Sequence, residues 1–314
     1  MSAKGRNIIV VGTSAGGLDT LDRLVGQWPT GLPASIFIVH HMASHSSGAA
    51  LLSRLSRHKA FDARLAEDGD RFRPGHIYIA PPDRHLLLKK DHVLVVRGAR
   101  ENRHRPGVDP LFRSAAVAHG SRAIGVVLTG MLDDGTAGLL AIKRCGGVTV
   151  VQDPRDAAYP GMPLSALDNV DVDFCVAIAE MGPLLATLVS QPHGKSKAVP
   201  PDIRTEAVIA ERVLSDICQV TGPAPLASQS EKIEEMLWIS LRMFEERKNL
   251  LFSMTRRGGH STLMSATRRR ARETQGYIDR IRGVLLESGP YNPVDHLTYV
   301  KALMAEPRKA KSAR

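Results

Sequence analysis

Aromatic residues make up only 4% of this 314-residue chain, too few for the base-stacking platforms on which single-stranded nucleic acids are held. Cysteine is scarce too. Cys145, Cys175 and Cys218 are far apart, odd in number and in no metal-ligand spacing. That excludes a disulfide framework or a zinc cluster and predicts reduced thiols in a cytoplasmic protein. No apolar run approaches the roughly 20 residues that span a bilayer, so no membrane insertion is expected. The apolar stretch Ile8–Val11 is too short for a signal peptide and leads directly into glycines. What the chain does contain is an ordinary 43% of hydrophobic residues, enough for a sizeable core, and a net charge of +10. Much of that charge lies late, around Arg268–Arg270 and in the Lys/Arg-rich tail. A basic helical face is more often solvated or paired, and no nucleic-acid partner is expected.

Up to about residue 190, short apolar runs alternate with amphipathic stretches. Asn7–Val11, Ala34–Val39, His76–Ala80, Ala123–Leu128 and Gly147–Gln152 read as strands. Leu18–Trp28, Gly48–Arg57, Pro110–His119, Gly135–Arg144 and Met162–Asn169 read as helices between them. Continuously apolar strands suit a parallel sheet covered on both faces, so the expected class is α/β. His92–Arg97 reads as a hairpin partner of Leu86–Lys89. The expected domains are residues 1–190, a linker over 191–227, a helical hairpin over 228–290, and a basic tail without fixed structure over 291–314. The hairpin rests on a Ser228-x-x-Glu231 capping box followed by Ile233, Leu237, Leu241, Phe244 and Leu251. After a break at Arg257–His260, Met264, Ala271, Ile278, Ile281 and Leu285 form a second stripe.

The stretch VVGTSAGGLDTL, Val10–Leu21, fits two chemistries. Its glycines suggest a phosphate-cradling turn, yet Gly12-x-x-x-Gly16-Gly17 does not match G-x-G-x-x-G, and no Walker lysine follows. The position after the second strand, where a ribose-binding acid would sit, holds His40-His41. Gly12-x-Ser14-x-Gly16 also has the spacing of a nucleophile elbow. A serine hydroxyl needs an imidazole to take its proton, and the imidazole needs a carboxylate to fix its tautomer. Three expected strand ends offer Ser14, His41 and Asp134 on one sheet edge. The order Ser…His…Asp is not that of the α/β-hydrolases, which run Ser…Asp…His. Each piece has a plainer reading, since a histidine can merely cap a strand and Asp-Gly merely form a turn.

In that order, GTSAGG, VHHM, AEDGDRFRPGHIYIAPPDRH, NRHRPGVDPLF, GVVLTGMLDDGTAGL and YPGMPLSAL resemble the catalytic domain of the CheB-type protein-glutamate methylesterases of bacterial chemosensory systems. The resemblance runs from about Asn7 to Leu188. It implies a doubly wound, mostly parallel α/β domain that hydrolyses glutamyl methyl esters on chemoreceptor helices and deamidates certain receptor glutamines, with no cofactor and no metal. It makes Ser14 the nucleophile, His41 the base and Asp134 the residue that orients it. The backbone N–H groups of Ala15 and Met131 become oxyanion donors. Arg103, His104 and Arg105 become candidates to line the substrate approach; their plainer reading is a solvated basic loop. His76 reads as structural, and Asp109 as the cap of a helix beginning near Pro110.

Many relatives carry a receiver domain ahead of this block. Here the block begins near Arg6, so no receiver is expected to precede it and activity is not expected to depend on phosphorylation in cis. The C-terminal hairpin is expected to mediate self-association (a homo-oligomer) or to dock another chemosensory protein. The competing reading from a different class is a catalytically silent binding module of a chemosensory complex.

Overall fold

A computed structural model of the protein describes residues 5–211, scattered positions between 233 and 248, and residues 261–287. The chain divides into two compact units, Met1–Val213 and Leu214–Arg314. The expected capping box at Ser228, the break at Arg257–His260, Leu251, the side chain of Met264 and the tail over 291–314 lie outside the described residues.

In the first unit, β1 (Ile8–Thr13), β2 (Ser35–His40), β3 (Asp62–Leu65), β4 (His76–Ile79), β7 (Ala123–Val127), β8 (Val148–Gln152) and β9 (Phe174–Val176) form one sheet. Its order is β3-β4-β2-β1-β7-β8-β9, and every pair is parallel. β5 (His85–Leu88) and β6 (Val93–Val96) form a separate antiparallel hairpin, close to where the sequence places one. The strand residues are β-branched and apolar because both faces are covered. Alternate residues go to opposite layers. Ile9, Val11, Ile36 and Ile38 pack with α1 (Gly17–Val25), α2 (Ala49–Leu55) and α6 (Ile178–Ser190). Ile8, Val10, Phe37 and Val39 pack with α3 (Val108–His119), α4 (Thr136–Arg144) and α5 (Gly161–Asn169). β1 lies beside both β2 and β7, so the connections leave it in opposite directions. That switch point opens a crevice at the carboxyl ends of these strands.

Two edge strands escaped the sequence reading. β3 (DARL) has four residues that mix charged and apolar side chains, and β9 (FCV) is apolar but only three residues long. The expected linker is also partly helical: α7 (Pro201–Ala210) sends Ile203 into the core against α3's layer. Proline at its first position suits a helix start, so the Pro-Pro read as linker punctuation is in fact a helix N-terminus.

In the second unit, α8 (Ser261–Glu287) buries Ala271, Ile278, Ile281 and Leu285. Leu237, Trp238 and Leu241 are buried, and Phe244 stacks on Tyr277 with ring centroids 5.2 Å apart. Glu245 accepts from Arg282 at 2.6 Å, and Lys248 donates to Gln275 at 3.0 Å. Phe244, Glu245 and Lys248 therefore pack against α8. Among the described residues, no helix is long and apolar enough to cross a membrane.

Candidate functional site

Ser14 follows β1 in a turn that needs a left-handed residue: Gly16 has φ +75°, a conformation glycine adopts without a steric penalty. The turn is tied to the loop after β7 by Ser14 N–H, which donates to Thr129 O at 3.0 Å. Gly130 allows this approach, since a Cβ there would lie 2.1 Å from Met162 Sδ and 2.9 Å from Ser14 Cβ. His41, just beyond β2, is held by its own N–H to Thr13 O at 3.1 Å. Two neighbouring strands thus aim the serine and the histidine at each other. The Ser14 hydroxyl and His41 Nδ1 are 3.0 Å apart, and His41 Nε2 lies 2.7 Å from Asp134 Oδ2.

Asp134 is 1% exposed. Besides His41 it accepts from the backbone N–H of Val108 at 2.7 Å and of Asp109 at 3.1 Å, and from Asn102 Nδ2 at 3.0 Å. These N–H groups belong to the first turn of α3, which has no side-chain cap of its own. Burial would push the Asp134 carboxyl up. The hydrogen bond and charge of His41, then His104 and the Val108 N–H, outweigh it and hold the group well below the usual carboxylate range. An acceptor surrounded by donors leaves the proton on His41 Nε2, so Nδ1 offers its lone pair to the Ser14 hydroxyl.

Asp109 does not cap its own helix. That helix begins at Val108, close to where the sequence places it, and the Asp109 carboxylate reaches across to α4. It accepts from Gly135 N–H at 3.1 Å, Gly138 N–H at 2.6 Å and Asn102 Nδ2 at 2.7 Å. The two helices are therefore cross-capped, Asp134 serving α3 and Asp109 serving α4, with Asn102 bridging both carboxylates.

The residues around NRHR separate into different roles. Glu101 and His104 exchange backbone hydrogen bonds of 3.2 and 2.8 Å around a two-residue turn. Asn102 (φ +49°) and Arg103 (φ +69°) occupy it, both left-handed. This is the geometry of a type I′ turn, here without glycine. It delivers His104 face to face with His41, ring centroids 3.5 Å apart and planes 11° from parallel. Burial, then the neighbouring His41, lowers the His104 pKa to about 4, and the same two causes bring His40 to about 4. Arg103 is exposed. Arg105 is not at the approach: its side chain is 1% exposed, and it donates to Asp83 at 2.7–2.9 Å and to Gly98 O at 2.6 Å. The expectation that it lines the substrate path is corrected, because a guanidinium saturated by a carboxylate and a carbonyl is a strut for its loop.

Ala15 and Met131 flank Ser14 from the two tied loops. Among the described residues no acceptor is paired with either backbone N–H. Met131 and Leu132 are 57% and 56% exposed, and Tyr159, 46% exposed, adds a third apolar side chain to the loops beside the serine. His76 opens β4, one strand in from the edge, and lies 3.4 Å from Asp62 of the edge strand β3. Asn102, Glu101, Arg113 and Gln152 were not singled out in the sequence. Gln152 accepts from Thr129 N–H at 2.9 Å, fixing the loop that anchors Ser14. No spacing rule marks these four. Among the described residues no cluster of metal-ligating side chains occurs.

A doubly wound α/β domain with a serine, a histidine and a buried aspartate in hydrogen-bonded sequence at its switch point defines the class. The chain belongs to the CheB methylesterase family, whose match spans residues 9–185. It is 39% identical over 191 residues to protein-glutamate methylesterase/protein-glutamine glutaminase 1 of Xanthomonas oryzae pv. oryzae, covering 60% of this chain and 54% of that one. It is 38% identical over 187 residues to the protein of the same description from Photorhabdus laumondii, covering 58% and 53%. The chain thus spans about half the length of the curated relatives it matches. The crystal structure of the Thermotoga maritima CheB methylesterase catalytic domain superposes with a TM-score of 0.56 at 34% identity, covering 58% of this chain and 98% of that one.

Proposed function

We propose that this chain hydrolyses the γ-methyl esters of glutamyl residues on the cytoplasmic helices of chemoreceptors, and deamidates glutamine at equivalent positions. The observation that carries the reading is the pair of contacts through one imidazole, 3.0 Å to Ser14 and 2.7 Å to Asp134. His41 Nδ1 takes the Ser14 proton as Oγ attacks the γ-carbonyl. Asp134 stabilises the imidazolium through Nε2. The negative oxygen of the tetrahedral intermediate is met by the backbone N–H groups of Ala15 and Met131, with the N-terminus of α1 behind them. His41 then returns the proton to departing methanol, or to ammonia from a glutamine, and water activated by His41 releases free glutamate. No metal or organic cofactor enters this chemistry.

Exposed Met131, Leu132 and Tyr159 beside the serine suit the apolar stripe of a receptor helix, and exposed Arg103 suits its acidic positions. The reading places the protein in the cytoplasm. It assigns the second unit to self-association or to docking another chemosensory protein, which is checked by comparing the size and partner binding of the full chain with those of a chain ending near Val213, where the first unit ends. The function is tested by methanol release from a methylated receptor fragment. Wild-type release with none from a folded Ser14→Ala protein supports it; equal release from both removes Ser14 as nucleophile. No release from either favours a silent binding module.

A further inference from the structure

The family match ends at residue 185, yet a carboxylate from beyond it is buried in the first unit. Glu206, on α7, accepts from Arg113 Nη1 at 3.3 Å. Arg113 lies on α3, and its Nη2 donates to both oxygens of Glu101 at 2.7 and 2.6 Å. The side chains of Arg113 and Glu101 are 2% exposed and that of Glu206 6%. Glu101 opens the turn whose other members reach the site: Asn102 donates to Asp134 and His104 lies on the His41 ring.

We propose that Glu206 is a positioning residue for the Ser14–His41–Asp134 site. Acting through Arg113 and Glu101, it holds the Glu101–His104 turn so that His104 stays stacked on His41 and Asn102 stays on Asp134. The need for such a hold comes from the turn itself. Two consecutive non-glycine residues in left-handed backbone persist only where their surroundings impose them. A guanidinium gripped by carboxylates on both sides cannot rotate away from Glu101, whereas one released on the α7 side gains that freedom. A tilt of the His104 ring then lets the His41 plane drift from the line between Ser14 and Asp134. Misplacement on the scale of 1 Å costs about 100-fold in rate at the extreme.

α7 has other anchors, so removing this carboxylate need not detach the helix. Arg144 donates to Asp202 at 2.7 and 3.0 Å, Lys89 pairs with Glu211 at 2.6 Å, and Ile203 sits in the core. These anchors supply the control that separates positioning from docking.

The inference rests on Ser14 being the nucleophile, so the test reads Ser14 twice in the full chain. One reading is methanol release; the other is the rate of covalent labelling by a fluorophosphonate, which needs no receptor. Glu206→Ala is expected to lower kcat and the labelling rate about tenfold with KM unchanged. Glu206→Gln, which keeps an acceptor for Arg113, should return both to within about threefold of wild type. Asp202→Ala should leave both rates as they are. Combining Glu206→Ala with His104→Ala should cost little more than His104→Ala alone, because the two act in series. Glu206→Leu, which keeps the packing volume, replaces the alanine variant should that one fail to fold. Wild-type rates in folded Glu206→Ala or Glu206→Leu, equal losses in Asp202→Ala, or additive losses with His104→Ala would each overturn the proposal. Labelling of the wild type without methanol release would sink the substrate reading and leave this test intact. A wild type that does not label at Ser14 overturns both.

Discussion

Asp109 and Asp134 are built almost alike. Each is 1% exposed, each accepts two backbone N–H groups from the start of a helix, and each is touched by Nδ2 of Asn102. They differ in one further donor, the imidazole of His41, which reaches only Asp134 among the contacts described. Which carboxylate serves the chemistry is therefore set by where β2 ends. Both are helix caps first, and one of those caps has been aimed at a base.

The largest separation between them is expected from Asp134→Asn. Each Asp134 oxygen faces two N–H donors, so an asparagine NH₂ confronts donors whichever way the amide turns. One outcome is the wrong His41 tautomer, and a fall in kcat of about 10⁴ is expected from single-turnover rates on the folded variant. A loss below tenfold would mean that the His41–Asp134 contact is incidental.

Asp109→Ala should act in the opposite way. It strands the N–H groups of Gly135 and Gly138, so denaturant unfolding should show a loss of about 2–3 kcal/mol. Its rate should fall far less than that of Asp134→Asn. Equal kinetic damage from both would show the pair to be one unit.

Acid should weaken the whole scaffold. Burial lowers His40, His85, His104 and His119 from 6.5 to about 4 in the folded state. For His85 the cause is structural as well: Nδ1 accepts from Gly107 N–H and Nε2 donates to Ala99 O, which occupies both nitrogens of the neutral ring. A folded pKa below the unfolded one means the unfolded chain binds protons first. Stability is then complete above about pH 6.5 and falls as the pH drops towards 4. Urea midpoints measured between pH 7.5 and 4.5 should decline across that window, and a flat profile would contradict it.

The smallest effect is expected at the rim. Arg103→Ala should raise KM a few fold at low salt, with kcat kept, and the difference should shrink as salt screens the charge. Arg105→Ala should instead destabilise the fold, because it empties a buried site and strips Asp83 and Gly98 O of that donor, leaving Asp83 to Arg97.

Much of this was legible in the residues. The parallel strands are runs of Ile and Val, the strand ends carry Ser14, His41 and the Asp-Gly of Asp134, and Gly16 marks the turn. These are local signals, written in neighbours along the chain. Asp109 was misread because a carboxylate at a helix start ordinarily serves its own helix, and its target, the Gly135 N–H just before α4, lies 26 residues on. Arg105 was misplaced because a basic run gives no sign of which arginine is buried. β3 was missed because an edge strand needs no continuous apolar pattern, and β9 because three apolar residues are too few to mark a strand.

The amino-acid order alone decides that a parallel sheet forms and that serine, histidine and aspartate stand at its crevice, since strand periodicity and strand-end chemistry depend on near neighbours. The cross-capping of α3 and α4, the stacking of His104 on His41, and the line from Glu206 through Arg113 to Glu101 exist only once distant segments pack. Buried polar groups take whichever partner the fold brings within reach, and over 93 residues, as between Arg113 and Glu206, no sequence spacing encodes that partner.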